Sequence, residues 1–238
     1  MEYTITVAGI TISLELRNEK TARYFTGFSA INEIEEKISL PSLTEEKIVR
    51  EAERLNSDLS FGEYSLLLES VANPLLRYDR FFFHGAAFIF KDKAYLFTAK
   101  SGVGKTTQLD HWLSLYSDEI EIINGDKPII EKKENSFIVH PSPWTGKEGY
   151  KGNRSAELGG IIYLEQGDHD ELFLLDKKEA VFPLYLQFLF LPEDKENVEL
   201  VLKYEEALLN SVPVYKLINQ GTKESAILAH DLLKGIDL

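Results

Sequence analysis

A phosphate-binding pattern, A-x-x-x-x-G-K-T, occupies residues 99–106. The apolar run at 94–97 before it is typical of a buried strand, and residues 107–115 after it favour a helix. A strand, a glycine-containing loop and a helix in this order are the context that a phosphate-binding loop requires. Ala99 stands where the commonest pattern has glycine, and alanine is tolerated there when φ is negative. The pattern therefore predicts nucleotide-phosphate binding; the alternative is a glycine-rich turn that binds nothing.

The residue types in this loop suit a nucleotide and its metal ion. Gly102 and Gly104 let the backbone aim several N–H groups at a phosphate, and the following helix start adds its unpaired donors and positive dipole end. Lys105 can reach the β- and γ-phosphates, and the Thr106 hydroxyl can bind Mg²⁺. The residues expected to contact the nucleotide are Ser101, Gly102, Val103, Gly104, Lys105, Thr106 and Thr107.

A carboxylate follows at the end of the next predicted strand. Asp126 comes after the predicted strand 119–123 and the pair Asn124-Gly125. A phosphate-loop enzyme needs a carboxylate there to hold Mg²⁺, directly or through water, or to accept a proton from the acceptor hydroxyl. The alternative is a plain hairpin turn, because Asn-Gly-Asp is good turn chemistry. Position and residue type together favour a functional Asp126.

The polar, turn-rich segment 141–150 is a candidate for the acceptor side of the site. Trp144 can stack on a base or an acceptor peptide, Lys147 can meet a phosphate, and Glu148 can support the metal ion. We expect a mobile loop over the phosphate site; the alternative is an ordinary loop pinned by its tryptophan. Arg154 is a further candidate phosphate ligand, against the alternative of a solvated charge.

Composition limits the classes of partner. The 238 residues are 44% hydrophobic and 27% charged, and the net charge of −13 argues against a nucleic acid or an anionic membrane as the main partner. The absence of cysteine excludes disulfides, thiolate metal sites and cysteine nucleophiles. Without a recognisable signal peptide or a run of membrane-spanning length, a cytoplasmic location is the expectation. A homo-oligomer is compatible with this composition.

Periodicity and turn signals predict the helices and strands around these residues. In a small N-terminal α+β lobe, residues 1–80, we predict two strands around Gly9, a helix at 44–57 capped by Thr44, and a helix at 64–78 broken at Asn73-Pro74. In a main domain, residues 81–238, we predict the strand pairs 82–90 with 93–97, 128–131 with 136–139, and 160–165 with 171–174, an edge strand at 212–216, and helices at 177–190, 197–209 and 222–233. Because hairpins outnumber βαβ units, the fold class predicted is α/β with a mixed sheet.

The run from Phe83 to Thr107 resembles the catalytic core of the HPr serine kinase/phosphorylase family. That family has a His-Gly pair, a short hairpin, a Ser-Gly-x-Gly-Lys-Ser/Thr loop, and an aspartate after the next strand. His84, Lys105 and Asp126 fall on those positions. The loop is also similar to the nucleotide loop of ATP-dependent phosphoenolpyruvate carboxykinases, which share this fold.

The resemblance implies a role for each matched residue. Asp126 would be the general base toward a serine hydroxyl, and His84 would help to place the transferred group. Taken alone, a histidine in Phe-Phe-Phe-His-Gly is more often a satisfied core residue. Lys105 would bind phosphate and Thr106 would bind Mg²⁺, so the implied cofactors are ATP and Mg²⁺. The metal-ligand candidates are Thr106, Asp126 and Glu148.

The resemblance is greatest to small HPr-kinase-like proteins of bacterial peptide-modification clusters, including lasso-peptide tail kinases. They share the Asp-Lys-Pro that begins here at Asp126 and the Pro-Trp-x-Gly-Lys that begins at Pro143. Two departures argue against HPr itself as the acceptor and against a reverse phosphorylase reaction. Gly125 replaces the first of two paired aspartates, and the C-terminal Pro-Gly-Arg-Asn segment is absent.

The expected activity is therefore that of an ATP- and Mg²⁺-dependent kinase. Its acceptor would be a serine-type hydroxyl on a peptide, protein or small molecule, and its fold the HPr kinase/phosphoenolpyruvate carboxykinase type with a small N-terminal lobe. The competing expectation is a nucleotide-binding regulatory or accessory protein with weak ATPase activity. Gly125 favours that alternative, because the loss of a carboxylate beside the base would slow transfer.

Overall fold

Two β-sheets organise the chain, which is described here by a computed structural model at residues 1–30, 37–192 and 194–235. These residues form a three-stranded sheet and a ten-stranded sheet with helices packed on them. The ten-stranded sheet contains both parallel and antiparallel pairs. The predicted fold class, α/β with a mixed sheet, is therefore confirmed. Within those ranges, no helix is long and apolar enough to cross a membrane.

The N-terminal part pairs a small sheet with two helices. Its strands are β1 (Glu2–Val7), β2 (Ile10–Glu15) and β3 (Lys37–Ser39), a 3-10 helix spans Glu19–Phe25, and the helices are α1 (Glu45–Arg54) and α2 (Leu59–Leu76). The two strands predicted around Gly9 are confirmed. The first helix is confirmed too, and the Thr44 side chain accepts a hydrogen bond from the Lys47 amide.

The break predicted in α2 at Asn73-Pro74 is wrong. The helix continues through Pro74 to Leu76. Pro74 lies in the last turn, so its missing N–H removes a single helical hydrogen bond near the end. Val71 and Leu75 are fully buried on either side of it, and this burial stabilises the turn against the local preference of proline.

The ten-stranded sheet carries the central strands. In chain order they are β4 (Arg80–Phe83), β5 (Ala86–Phe90), β6 (Lys93–Thr98), β7 (Ile120–Asn124), β8 (Ile129–Lys132), β9 (Phe137–His140), β10 (Ala156–Gln166), β11 (Glu171–Leu174), β12 (Phe188–Leu189) and β13 (Val214–Asn219). β10 pairs in parallel with β6 and β13. The predicted hairpins β5–β6 and β8–β9 are confirmed as antiparallel pairs.

Three predictions about this sheet are wrong. The segment 171–174 pairs with β13 and not with the strand at 160–165, because β13 lies between them. The predicted edge strand at 212–216 is therefore internal; Pro213 precedes the ladder, where its missing N–H costs nothing. The helix predicted at 177–190 ends at Tyr185, and Phe188 and Leu189 pair with β4 instead.

Helices cover both faces of the sheet. They are α3 (Lys105–Tyr116), α4 (Lys177–Tyr185), α5 (Lys195–Ser211) and α6 (Lys223–Gly235). α3 and α6 pack on the face that carries Phe88 and Phe97, and α4 and α5 pack on the face that carries Ala87 and Leu96. Trp112 of α3 is fully buried against this first face. The helix that follows the phosphate loop is therefore fixed to the sheet by its own core.

β4 and β5 follow one another along a single antiparallel ladder with β8 and β7. The register continues across the interruption, because Arg80 faces Glu131 and Ala87 faces Asn124, and it shifts by one residue between Ala87 and Phe88. The strand predicted at 82–90 is thus interrupted only at His84-Gly85. At this interruption the Gly85 amide donates to the Asp126 carbonyl at 2.9 Å. His84 and Asp126, two predicted site residues far apart in the sequence, therefore meet where the pairing is interrupted.

Candidate active site

The loop between β6 and α3 has the backbone conformation that its glycines predict. Gly102 has φ of +82° and Gly104 has φ of +112°, both in the left-handed region. Gly104 is the residue before the first turn of α3, and no side chain caps that turn. The first amides of α3 are therefore directed toward the loop without a side-chain acceptor, which is the arrangement that favours an anion at a helix start.

Lys105 folds back over this loop. Only 8% of the residue is exposed, and its Nζ lies 3.4 Å from the carbonyl oxygen of Ala99. Burial lowers the pKa of the ammonium group, and the negative charge of Asp126 acts in the opposite direction. A buried ammonium group near a carboxylate is placed to gain strongly from an entering phosphate.

Asn124 builds the turn that carries Asp126. Its side chain is fully buried, and its Oδ1 accepts hydrogen bonds from the amides of Asp126 at 2.9 Å and Lys127 at 2.7 Å. Its Nδ2 donates to the carbonyl of Ser142 at 3.0 Å. From the sequence, Asn124 was predicted only as part of a turn. The signal for its positioning role was an asparagine at the end of a strand, since such a side chain can accept from the backbone amides that follow it.

The Asp126 carboxylate is held between two cationic or hydrogen-bonding side chains. Lys127 Nζ lies 2.5 Å from Oδ2, and His84 Nε2 lies 3.4 Å from Oδ1. Burial alone would raise the pKa of Asp126. The hydrogen bond from His84 and the charge and hydrogen bond of Lys127 outweigh burial and lower this pKa to about 2. The carboxylate is therefore ionised at neutral pH.

His84 is positioned by its backbone and is not an ordinary core histidine. Its amide donates to the carbonyl of Gln187 at 2.8 Å, and its carbonyl accepts from Thr98 Oγ1 at 2.7 Å. Its side chain keeps 24% exposure. Gly85 beside it has no room for a side chain, because a Cβ there would lie 3.0 Å from the Phe97 carbonyl oxygen. The ring is thus held at the wall of the cleft.

One cleft of about 350 Å³ brings most of the predicted residues together. It is lined by His84, Ser101, Gly102, Gly104, Lys105, Thr106, Thr107, Gly125, Asp126, Gly146, Lys147 and Glu148. Val103 does not line this cleft; it packs against the core beneath the loop. Across the ranges that the structure covers, no three histidine, aspartate or glutamate side chains form a cluster that could hold a metal ion.

Arg154 lies away from this cleft. Its guanidinium contacts Asp92 Oδ1 at 2.6 Å and Glu121 Oε2 at 3.4 Å. Asp92 lies in the turn before β6, whereas the phosphate loop follows β6. A strand rises about 3.3 Å per residue, so these two ends of β6 are roughly 17 Å apart. In this structure Arg154 is an exposed ion-pair residue at the opposite end of the strand.

The prediction that Trp144 offers its face to a partner is wrong. Its ring is 2% exposed and contacts Phe25, Tyr64 and Phe82, with ring centroids 5.2–5.9 Å apart. Its Nε1 donates to the Tyr64 carbonyl at 3.0 Å. The large apolar ring gains more from burial among these aromatic residues of the N-terminal core than from exposure. The alternative, a tryptophan that pins the loop, is the one observed.

The exposed part of this loop is limited to residues 146–149. Gly146 has φ of +76° and Gly149 has φ of +68°, and Lys147 and Glu148 between them are exposed at the rim of the cleft. After the loop, the Tyr150 hydroxyl donates to Asp110 of α3 at 2.7 Å. Two conformationally permissive glycines thus border a short charged segment whose ends are fixed.

Gly125 has no room for the carboxylate that the resemblance expected there. A Cβ at this position would lie 2.9 Å from Tyr150 Cβ and 3.1 Å from the Thr145 carbonyl oxygen. Its amide also donates to the Tyr150 carbonyl at 2.8 Å. The segment after Trp144 packs directly on Gly125 and fills the space of a side chain. The neighbouring loop therefore requires glycine at position 125, where the resembling kinases have an aspartate.

No protein-family model matches this chain, and no curated protein matches it either. Among solved structures, the chain is similar to the structure of the Hpr(Ser) kinase/phosphatase from Coxiella burnetii. The similarity covers 64% of this chain and 88% of that chain, with 13% sequence identity and a TM-score of 0.37. This similarity is distant, and the residues of the cleft are the better guide to function.

Proposed function

We propose that this protein is an ATP- and Mg²⁺-dependent kinase that phosphorylates a serine-type hydroxyl on a peptide, protein or small acceptor. The observation that carries the proposal is the content of one cleft. The phosphate loop with the inward Lys105 forms one wall, and the ionised Asp126 with His84 forms the other. A phosphoryl group bound by the loop would lie between a cationic site and a base.

The residues of the cleft supply the parts of a phosphoryl transfer. Loop amides and Lys105 would stabilise the negative charge on the γ-phosphoryl group. As the acceptor oxygen bonds to phosphorus, its proton passes to the Asp126 carboxylate. The bond to the β-phosphate oxygen breaks, and its electron pair leaves with ADP. In a loose transition state the proton is transferred late, so a carboxylate with a low pKa suffices as the base. His84 at Oδ1 would orient that carboxylate.

The oxygen donors at the cleft fit a magnesium ion. The Thr106 hydroxyl and the carboxylates of Asp126 and Glu148 line the same space, and Mg²⁺ prefers oxygen ligands from one or two carboxylates together with substrate phosphates. Bound there, Mg²⁺ would neutralise charge on the phosphate oxygens. Lys147 on the short loop would add a further positive charge at the rim.

A second candidate function is nucleotide binding with weak ATPase activity in a regulatory or accessory protein. Two observations favour it. Gly125 leaves no second carboxylate beside Asp126, and Lys127 occupies one oxygen of the base. Hydrolysis of ATP without transfer to any acceptor would be its signature.

The test is transfer of the labelled γ-phosphate of ATP to a pool of serine-containing peptides, which the resemblance to peptide-cluster kinases makes the first acceptors to try. Asp126→Asn keeps the shape of the side chain but removes the base, so transfer should fall about 10²–10⁴-fold, far more than nucleotide affinity. The matched control is Asp118→Asn, because Asp118 is an exposed aspartate after α3. Transfer at the wild-type rate in Asp126→Asn would refute the assignment of the base.

A further inference from the structure

Lys127 lies directly beside Asp126, and the phosphate-loop pattern assigns it no function. Its Nζ lies 2.5 Å from Asp126 Oδ2, and its side chain is only 23% exposed. Its backbone is fixed on both sides, since the amide donates to Asn124 Oδ1 and the carbonyl accepts from Ser142 Oγ at 2.5 Å. The ammonium group therefore has a fixed origin beside the base.

The charges near Asp126 are not balanced in the absence of a phosphate. The hydrogen bond and charge of Lys127 lower the pKa of Asp126. The charge of Asp126 favours the ammonium form of Lys105, whereas the charge of Lys127 opposes it. An ammonium group has three donors, and Asp126 is the side-chain partner of Lys127 among the contacts of the described residues. Lys127 on the carboxylate and Lys105 nearby together exceed the charge of Asp126, and this local positive charge suits an entering dianionic phosphoryl group.

We propose that Lys127 is a second phosphate-binding residue, bound to Asp126 in the resting protein and shared between Asp126 and the transferred γ-phosphoryl group during the reaction. This proposal rests on the proposed function. Lys127 would have two roles: it would hold Asp126 next to the reacting phosphoryl group, and it would bind the γ-phosphate. Lys105 and the loop amides bind the β- and γ-phosphates together, whereas Lys127, rooted beside Asp126, contacts the γ-phosphate alone.

The experiment compares affinities for MgADP and for a non-hydrolysable MgATP analogue in Lys127→Gln. Loss of one charge-assisted hydrogen bond to the γ-phosphate should weaken binding of the analogue about 10- to 100-fold and leave MgADP affinity within about 2-fold. Transfer should fall at least as much as analogue affinity. The matched control is Lys132→Gln, because Lys132 lies on β8 and its Nζ contacts only the Lys133 carbonyl among the described contacts. That control should leave both affinities unchanged.

Each other outcome overturns the proposal. If Lys127→Gln lowers transfer but leaves the affinities for MgADP and the MgATP analogue unchanged, Lys127 only positions Asp126. If it lowers these two affinities equally, Lys127 does not contact the γ-phosphate alone. Should the glutamine variant not fold, Lys127→Met keeps the apolar stem and gives the same comparison. The proposed function fails separately: wild-type protein that binds neither nucleotide, or an Asp126→Asn variant with unchanged transfer, would refute the kinase itself. A normal Asp126→Asn loss with an unchanged affinity ratio in Lys127→Gln would refute only the role of Lys127.

Discussion

Replacing Trp144 with alanine should destabilise the whole N-terminal core. A tryptophan side chain buries about 150–250 Å², and at about 25 cal/mol per Å² this is worth about 4–6 kcal/mol as an upper bound. Measured Trp→Ala substitutions in cores cost about 3–5 kcal/mol, and the lost hydrogen bond to Tyr64 adds about 1 kcal/mol. Because Trp144 is 2% exposed and contacts three aromatic rings, we expect a loss of about 4 kcal/mol.

The assay is urea unfolding followed by circular dichroism and by the emission of Trp112, the tryptophan that remains. The control is Leu115→Ala, because Leu115 is an exposed apolar residue on α3 and should change stability by less than about 0.5 kcal/mol. Trp144→Phe should lose less than the alanine variant, since it keeps most of the apolar contact. A loss below about 1 kcal/mol in Trp144→Ala would show that the ring is not buried as described.

Three further predictions concern the cleft itself. Lys105→Ala should weaken MgATP binding by about 1.5–3 kcal/mol, measured by calorimetry, and an unchanged affinity would contradict the phosphate-loop assignment. Gly125→Asp should not restore activity but displace the segment at Tyr150, lowering the melting temperature; a stable, faster enzyme would contradict the packing described. Because folding lowers the pKa of Asp126, its carboxylate stabilises the folded state above pH 4, and this stabilisation is lost as the pH falls toward 2. Between pH 5 and pH 3, the free energy of unfolding of wild type, measured in urea, should therefore fall by about 1 kcal/mol more than that of Asp126→Asn. Equal losses would contradict the ion pairs at Asp126.

Local patterns predicted the local features of this molecule. The phosphate loop, its strand and its helix follow from glycine conformations and apolar runs within one stretch of chain, so the sequence contained all that was needed. The hairpin β5–β6 was predicted for the same reason, since Lys91 and Asp92 both adopt the positive φ that its tight turn requires.

Features that depend on distant residues were missed. The alternation at 171–174 indicates a strand but not its partner, and β13 follows only after two helices. Trp144 lies in a polar segment, and its burial depends on Phe25, Tyr64 and Phe82 far back in the chain. These contacts also place Trp144 in the core of the N-terminal part, although it lies in the predicted main domain. The domain boundary predicted at residue 80 remains a prediction.

The anchors on either side of residues 146–149 make this segment exchangeable. Trp144 fixes the chain before it in the N-terminal core, and Tyr150 fixes the chain after it to α3. The base and the phosphate loop belong to other elements, whereas Lys147 and Glu148 of this segment line the cleft beside them. Doubling the length of the segment would cost only about 0.6 kcal/mol in loop-closure entropy. A library of inserted sequences that keeps Lys147 and Glu148 would therefore vary the rim of the cleft, where an acceptor would enter, while the chain on either side stays anchored.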